Sequence, residues 1–295
     1  MDLDKLRVFY LVVAEGSMYR AAKKLNLAPS ALSRTISVLE ESVQTKLFIR
    51  EKAKSLVLSD AGKILFEHTK EILRIAATAE ETVKDVDKTP KGNLKVISTA
   101  GIISNWIIHF VPGFLRKYPD MRLTLYGSSS ESLTNSNADA AINPFEESNE
   151  DLVQIYLRSV KYKIFASKEY LREFGEPKTP QDLDNHRLIV YSLDSPKNLQ
   201  TADWLLSFGA NPEKPRTPYL QVNTTDGVIK AVNYGLGIGA IIDELIDIQY
   251  PNVVQILPDI GTREEKYYYT FRRHLQYSKR VTAFCDYILD EIKKR

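Results

Sequence analysis

The chain has 295 residues, of which 43% are hydrophobic and 26% charged, and its formal net charge at pH 7 is +2. This length allows more than one domain with a core of its own. A single cysteine excludes a disulfide within the chain and a thiolate metal cluster. The four histidines are scattered without ligand spacing, and neither G-x-S-x-G nor H-E-x-x-H occurs. We therefore expect no metal, no cofactor and no enzymatic activity.

The sequence also argues against a membrane protein. No run approaches the roughly 18 apolar residues that a membrane span needs. The N-terminus carries the acids Asp2 and Asp4 and lacks a signal-peptide pattern. Together with the lone cysteine, these features predict a cytoplasmic location.

Three short helices are predicted at the N-terminus. The spacing of Leu6, Phe9, Tyr10 and Val13 predicts the first helix. The second covers Met18 to Leu25, with Ser17 as its N-cap and Asn26 at its end. The third begins at Pro29, which suits the first helical position because it lacks an N–H. Two short helices joined by a tight turn predict a helix-turn-helix that reads DNA.

The third helix has two distinct faces. Leu32, Ile36 and Leu39 fall on one side, and the other carries short hydroxyl side chains and one arginine: Ser30, Ser33, Arg34 and Ser37. Such a surface enters the major groove, about 12 Å wide, with little steric hindrance. The arginine would contact either a guanine or a phosphate. An ordinary helical hairpin with a solvated polar face remains the alternative.

A basic hairpin is predicted directly after these helices. Lys46–Arg50 and Leu56–Leu58 are predicted as two strands, and the loop between them contains Lys52 and Lys54. From Ser17 to Lys54 there are eight basic residues and three acidic ones, a local charge of +5. The positive charge is concentrated where a phosphate backbone would lie, so the hairpin is interpreted as the wing of a DNA-binding domain.

The first ninety residues resemble the LysR-type transcriptional regulators. The matching motifs are R-A-A-x-x-L-N-L, A-P-S-A-L-S-R-x-I-x-x-L-E, K-L-F-x-R and L-x-L-S-D-A-G. One departure is that Ala28 stands at the N-cap, followed by Pro29 and Ser30, where the family usually has Ser or Thr followed by Gln and Pro. Motifs and resemblance together indicate double-stranded DNA as a partner, with these candidate contacts: Ser17, Arg20, Pro29, Ser30, Ser33, Arg34, Ser37, Arg50, Lys52 and Lys54.

A long helix is predicted from Ser59 and Asp60 to about Lys88. Thirty residues at 1.5 Å each would extend roughly 45 Å. Apolar residues recur every seven positions at Leu65, Ile72, Ala79 and Val86, and such a repeat needs a partner surface. Packing on the chain's own winged domain is one alternative, and self-association into a homodimer is the other. The resemblance implies self-association, extends it to homotetramers, and implies contact with RNA polymerase.

The pattern changes at Thr89–Gly92, which predicts a domain boundary. Strands then alternate with helices, including a helix from Ile103 to Lys117 with a kink at Pro112, which predicts α/β layers with a largely parallel sheet. P-x-x-P-Q-D-L and G-L-G-I-G extend the resemblance to the two-lobed effector domains of the family, which are similar to periplasmic binding proteins. The predicted fold is α/β overall, with a winged helix-turn-helix (1–58), a linker helix (59–89) and an effector domain (90–295).

Polar loops follow three of the predicted strands. Ligands in open α/β sheets bind beyond the carboxyl ends of strands, close to helix N-termini. The candidate effector contacts are Ser98, Thr99, Ser128, Ser129 and Thr224, whose hydroxyls and neighbouring N–H groups could hold a small metabolite such as a carboxylate. Plain helix capping is the alternative for each residue. The short segment from Glu131 to Asp139 also leaves open an effector-independent regulator with a degenerate pocket.

Overall fold

The computed structural model describes residues 2–50, 56–84, 89–128, 133, 136–146, 150–191, 204–246, 249–260 and 262–294. It divides into two compact units, Met1–Lys84 and Asp85–Arg295. Our finer division at residues 58 and 89 stays a prediction.

The first unit is a helix-turn-helix followed by a hairpin and a long helix. Its elements are α1 (Leu3–Glu15), α2 (Met18–Leu25), α3 (Pro29–Ser42), β1 (Phe48–Arg50), β2 (Leu56–Leu58) and α4 (Asp60–Lys84). The two strands pair antiparallel, with Phe48 opposite Leu58. The core is formed by buried apolar side chains from all three leading helices: Leu6, Phe9, Val12, Ala21, Ala22, Leu32, Ile36 and Leu39.

The predicted turn between α2 and α3 is present. The Ser17 hydroxyl accepts a hydrogen bond from the Arg20 N–H at 3.4 Å, which caps α2. Asn26 ends the helix in the left-handed conformation, with φ 53°. Ala28 stands at the N-cap of α3 and makes no side-chain capping bond, while Pro29 takes the first helical position. Proline therefore starts α3 without leaving an unpaired N–H group.

A buried carboxylate connects the end of α3 to the hairpin. Glu40 is 9% exposed; it accepts hydrogen bonds from the Leu47 N–H at 2.9 Å and the Lys46 ammonium at 2.6 Å. Burial alone would raise the pKa of the Glu40 carboxyl, but the bonds from Lys46, Leu47 and Phe48 outweigh it and hold the pKa below its ordinary value of 4.5. Glu40 thereby fixes where β1 begins relative to α3.

The long helix α4 divides its apolar residues between two surfaces. Leu65 and Ile72, half of the predicted seven-residue repeat, pack against the core of the first unit. Ile64 is 63% exposed and Ile75 is 38% exposed, and they lie eleven residues apart, which is about three turns of a helix. The helix is described as far as Lys84, so Val86 and the predicted end at Lys88 lie outside the described residues.

The second unit contains one mixed sheet with helices around it. Its elements are β3 (Gly92–Ser98), α5 (Ala100–Asn105), α6 (Val111–Lys117), β4 (Met121–Gly127), β5 (Ala140–Pro144), β6 (Leu152–Ser167), α7 (Lys168–Phe174), β7 (Leu188–Tyr191), β8 (Leu220–Val222), α8 (Thr225–Asn233), β9 (Ile238–Ile242), β10 (Val253–Ile256), β11 (Thr262–Arg272) and α9 (Lys279–Lys293). In the order β4-β3-β5-β11-β6-β9-β7-β8, pairing is parallel among the first three strands and among the last three, and antiparallel where β11 and β6 join them.

Several predicted details were wrong. The single helix over 103–117 is instead α5, a 3₁₀ turn at Ile107–His109 and α6. Pro112 does not kink a continuous helix, because it lies in the first turn of α6, where a missing N–H needs no partner. β6 runs without a break from Leu152 to Ser167, and β10 was not predicted. The sheet is mixed rather than largely parallel.

Two strands connect the lobes of the second unit. β6 has 16 residues and β11 has 11, and they pair antiparallel along their length. Each lobe has its own buried cluster, one beside β3 and β11 and others around β7 and β9. These two strands therefore cross between the lobes, and they place the pocket described below between the two parallel groups of strands.

The Glu40 contacts generate a prediction about stability. Glu40→Gln should lower the free energy of unfolding of the first unit by about 1–3 kcal/mol at neutral pH, because a buried charged acceptor is lost. Since the folded pKa of Glu40 lies below 4.5, the contribution is complete above that pH and is lost as the pH falls through the lowered value. Hydrogen–deuterium exchange of the backbone between Leu39 and Phe48 measures it.

Glu41→Gln is the matched control, because Glu41 is the exposed neighbour of Glu40 in α3. It should change exchange little at any pH. Equal effects of the two substitutions, or an effect of Glu40→Gln that does not begin to diminish as the pH falls below 4.5, would contradict the anchoring role of Glu40.

Candidate functional sites

The first candidate site is the exposed face of α3. Its apolar residues Leu32, Ile36 and Leu39 are 0–4% exposed, so the helix can rotate very little about its axis. The opposite face is exposed, and the structure brings all five predicted residues of this helix together along it: Pro29, Ser30, Ser33, Arg34 and Ser37. One cation surrounded by short hydroxyl side chains suits contact with base edges or phosphates.

The start of α2 contributes further candidates. Ser17 caps the helix and is half-buried, while Arg20 is exposed in the first turn. Tyr19 lies between them in sequence and is 70% exposed; sequence reasoning missed it. The sequence does contain a signal for the exposure of Tyr19. The small residues Ala21 and Ala22 mark the buried side of α2, and Tyr19 lies away from that side.

The hairpin is tied to α3 at its start, and its two ends are hydrogen-bonded to each other. Glu40 binds the start of β1, and after β2 the backbone N–H of Ser59 donates to the Leu47 carbonyl at 2.9 Å. The Ser59 hydroxyl also donates to the Lys46 carbonyl at 2.6 Å. Lys52, Lys54 and the side chain of Arg50 lie outside the described residues, so their roles remain predictions.

The second candidate site lies in the second unit, where three predicted loops meet. The Ser128 N–H donates to the Ser98 carbonyl at 2.9 Å, which joins the loops after β4 and β3. A methyl group on Gly101 would lie 2.3 Å from the Thr225 hydroxyl, so the start of α5 closely approaches the start of α8. The loops predicted from strand ends therefore converge.

A pocket opens beside this contact. The cavity volume is about 30 Å³, which is enough for one or two water molecules. Two threonines, three tyrosines and five aliphatic residues line it: Thr99, Ile102, Tyr162, Tyr191, Thr225, Val228, Ala240, Ile241, Ile242 and Tyr267.

The predicted effector residues occupy different places around the pocket. Thr99 lines the pocket and caps α5 by accepting from the Ile102 N–H at 3.3 Å. Ser98 is buried and donates to the Ile142 carbonyl at 2.6 Å, and Thr224 is exposed and caps α8. Ser128 is half-buried beside Ser98, and Ser129 lies outside the described residues.

The three tyrosines of the lining were not predicted. Burial raises the pKa of Tyr162 to about 12 and raises that of Tyr191, and it holds the pKa of Tyr267 well above its ordinary value. The phenol groups of Tyr162 and Tyr267 lie close enough for each to shift the pKa of the other. Tyr162 belongs to β6 and Tyr267 to β11. The antiparallel pairing of these two strands across the lobes could not be foreseen from local sequence.

Other chemistries find little support in the described part of the chain. No group of three or more His, Cys, Asp or Glu side chains there could hold a metal ion. Cys285 is 1% exposed, and burial raises the pKa of its thiol to about 12, which leaves it protonated and inert at neutral pH. None of the helices described is both long and apolar enough to cross a lipid bilayer.

Comparison with known proteins decides the family. The model for the LysR substrate binding domain matches residues 87–293, and the model for the bacterial regulatory helix-turn-helix protein, lysR family, matches residues 3–63. The chain belongs to the LysR family of transcriptional regulators. This regulator combines a DNA-binding helix-turn-helix with an effector-binding domain, and its relatives are named as transcriptional regulators rather than enzymes.

The matches to individual relatives cover nearly the whole chain. The transcriptional regulator CrgA of Neisseria meningitidis is 27% identical, with 98% of this chain and 96% of CrgA covered. Full-length LysG of Corynebacterium glutamicum, solved with bound effector Arg, superposes with a TM-score of 0.65 at 17% identity, covering 100% and 99% of the chains. Full-length CbnR, solved in complex with its target DNA, has a TM-score of 0.60 at 17% identity and the same coverage.

The family matches also bear on the alternative that the sequence left open, an effector-independent regulator with a degenerate pocket. The substrate-binding model spans the segment Glu131–Asp139 that appeared shortened. The regulator is therefore of the effector-binding type, and an effector-independent protein with a degenerate pocket is not favoured.

Proposed function

We propose that this regulator binds specific operator DNA through the exposed face of α3, and that a small molecule in the pocket beside Thr99 and Thr225 controls its activity. It acts in the cytoplasm as a homodimer or homotetramer and contacts RNA polymerase when bound to DNA. The observation that carries the proposal is the fixed rotation of α3, which presents Ser30, Ser33 and Arg34 together.

The first unit supports the DNA-binding role through geometry and charge. α3 follows α2 after a three-residue turn, and its polar face is exposed while its apolar face is buried. In helix-turn-helix proteins the second helix enters the major groove, and the first crosses the phosphate backbone. Ser17, Tyr19 and Arg20 at the start of α2 are then candidates for phosphate contacts.

The wing adds sequence-independent affinity. In the sequence, Lys52 and Lys54 lie between β1 and β2. Glu40 ties the start of this hairpin to α3, and Ser59 joins its two ends, so the position of the hairpin is set by α3. Each phosphate neutralised by a lysine releases counterions, which gives an affinity that falls with salt. Arg50 is proposed to contribute in the same way.

The second unit supports the sensing role. LysG carries its bound arginine within the same overall fold, and the pocket described above lies where loops from three strands meet. An effector changes operator binding only if it binds two arrangements of the protein with different affinities. A coupling of about 1–3 kcal/mol is usual for such effects.

Self-association is proposed to use the exposed apolar residues of α4. Ile64 and Ile75 are exposed and do not belong to the core that Leu65 and Ile72 help to cover, and exposed aliphatic side chains three turns apart form a stripe. Regulators of this architecture read paired half-sites as dimers, so the stripe would bring two first units together.

The role of Arg34 is tested by Arg34→Ala. It should weaken binding to the cognate operator by about 1–3 kcal/mol and relax the base preference at one position, if the guanidinium reads a base. Operator fragments from genomic footprinting, titrated in an electrophoretic mobility assay, give the measurement. Arg116→Ala, which removes a positive charge from α6 of the second unit, is the control, and an unchanged affinity of Arg34→Ala would refute the assignment.

Substitutions in the wing should behave differently. Lys52→Ala and Lys54→Ala are each expected to weaken binding to all DNA sequences alike and to reduce the slope of log affinity against log salt by about one. Titrations at several salt concentrations with operator and random fragments test this. An altered base preference would show instead that the wing reads sequence.

The stripe on α4 is tested by Ile64→Asp combined with Ile75→Asp. Two buried charges in an apolar interface should disfavour the dimer strongly, and sedimentation should then show a smaller species. Ala77→Asp is the matched control, because Ala77 is exposed on the opposite side of the same helix. If the double variant keeps the oligomeric state of the parent chain, α4 does not mediate assembly through this face.

A further inference from the structure

We propose that the pocket takes an uncharged, compact small molecule that combines an apolar body with one or two hydrogen-bonding atoms, rather than a metabolite anion. This inference rests on the proposed sensing role of the pocket. It departs from the carboxylate expected from the sequence, and it is carried by the side chains that line the cavity.

The lining offers no charge to pair with a ligand ion. Among the lining residues in the described part of the chain, none is Lys, Arg, His, Asp or Glu. Half of them are aliphatic, and Ile102, Val228, Ile241 and Ile242 are each at most 6% exposed. An apolar wall of this kind stabilises an apolar ligand body by removing its surface from water.

The polar atoms of the lining are neutral hydroxyls. Because burial keeps the pKa values of Tyr162, Tyr191 and Tyr267 above the ordinary value of 10.0, all three tyrosines stay protonated at physiological pH. A phenol hydroxyl donates one hydrogen bond and accepts others. Tyr162 and Tyr267 both line the pocket, so a ligand carbonyl, hydroxyl or amide can hydrogen-bond to their hydroxyls without a countercharge.

Charges close to the pocket also disfavour an anion. Burial raises the pKa values of Tyr162 and Tyr267 most, and the negative charge of Glu265 is a smaller contribution that raises both further. Two cations of β6 near Tyr162 are engaged with acids: Lys163 pairs with Asp243 at 3.0 Å, and Arg158 pairs with Glu244. A bound carboxylate would have to compete for them.

The free-energy balance therefore favours a neutral ligand. Moving a carboxylate from water to an apolar site is costly unless a cation and hydrogen bonds compensate it. A neutral amide or alcohol needs only its hydrogen bonds, which the tyrosine and threonine hydroxyls supply. The close approach of Gly101 to Thr225 and the room of about 30 Å³ restrict the ligand to a small body.

Probes that differ only in charge test this proposal on the full-length protein. Carboxylate, amide and amidinium triplets on the same methyl and ethyl bodies (acetate, acetamide and acetamidinium, and their three-carbon counterparts) are titrated by calorimetry and saturation-transfer NMR. We expect at least one amide to bind, at least tenfold more tightly than its carboxylate and its amidinium. Tyr162→Phe should weaken that amide by about 2- to 10-fold, through loss of one hydrogen bond.

Tyr156→Phe is the matched control, because Tyr156 lies on the same strand, is 48% exposed and does not line the pocket. Tyr191→Phe is the second pocket variant if Tyr162→Phe fails to fold. Tighter binding of a carboxylate or an amidinium, no binding of any probe, or equal effects of the pocket and control variants would each overturn the proposal.

Operator binding is measured in the same preparations to separate the two claims. Failure of the amides with intact operator preference overturns the ligand class alone. Loss of operator preference in the unmodified protein would overturn the proposed function itself.

Discussion

The packing of α3 against the two helices before it is the constraint on which the DNA-binding account depends. Leu32, Ile36 and Leu39 are buried against α1 and α2, and Ala21 and Ala22 of α2 are 0–1% exposed, so the helices approach closely. This packing leaves one rotation for α3 about its axis. The same rotation exposes Ser30, Ser33 and Arg34 as one surface, so the apolar core determines which side chains can meet DNA.

The wing depends on that packing through a single carboxylate. Glu40 occupies a buried position at the end of α3 and accepts hydrogen bonds from the chain entering β1. Ser59 completes the connection on the far side of the hairpin. The loop that carries Lys52 and Lys54 in the sequence therefore starts from a base whose position α3 sets.

The sequence predicts the first unit better than the second. Caps, turns and the buried stripe at Ser17, Asn26, Pro29 and Leu32 are local signals, and each is where it was expected. The pocket depends on long-range pairing instead: Tyr162 and Tyr267 lie 105 positions apart and meet only because β6 and β11 run antiparallel across the two lobes. The ends of the strands indicated the correct loops. Local sequence does not determine which hydroxyl lines the pocket, so Thr224 was predicted where Thr225 lines it.

The two halves of the chain make different physical demands on their ligands. The first unit presents exposed cations and hydroxyls to a polyanion in water, where charge steers and salt weakens binding. The second presents neutral hydroxyls within an apolar cavity, where an uncompensated charge is costly. We therefore expect the first unit to bind a polyanion and the second unit to bind a neutral small molecule.

The central claim is that the exposed face of α3 reads sequence. The most direct measurement is competition between promoter fragments recovered by footprinting and random fragments of equal length for the full-length protein at physiological salt. The account predicts that selected fragments bind at least 10³-fold more tightly than random DNA, within the range usual for specific recognition of about 10³ to 10⁷. Equal affinity for selected and random fragments would contradict it.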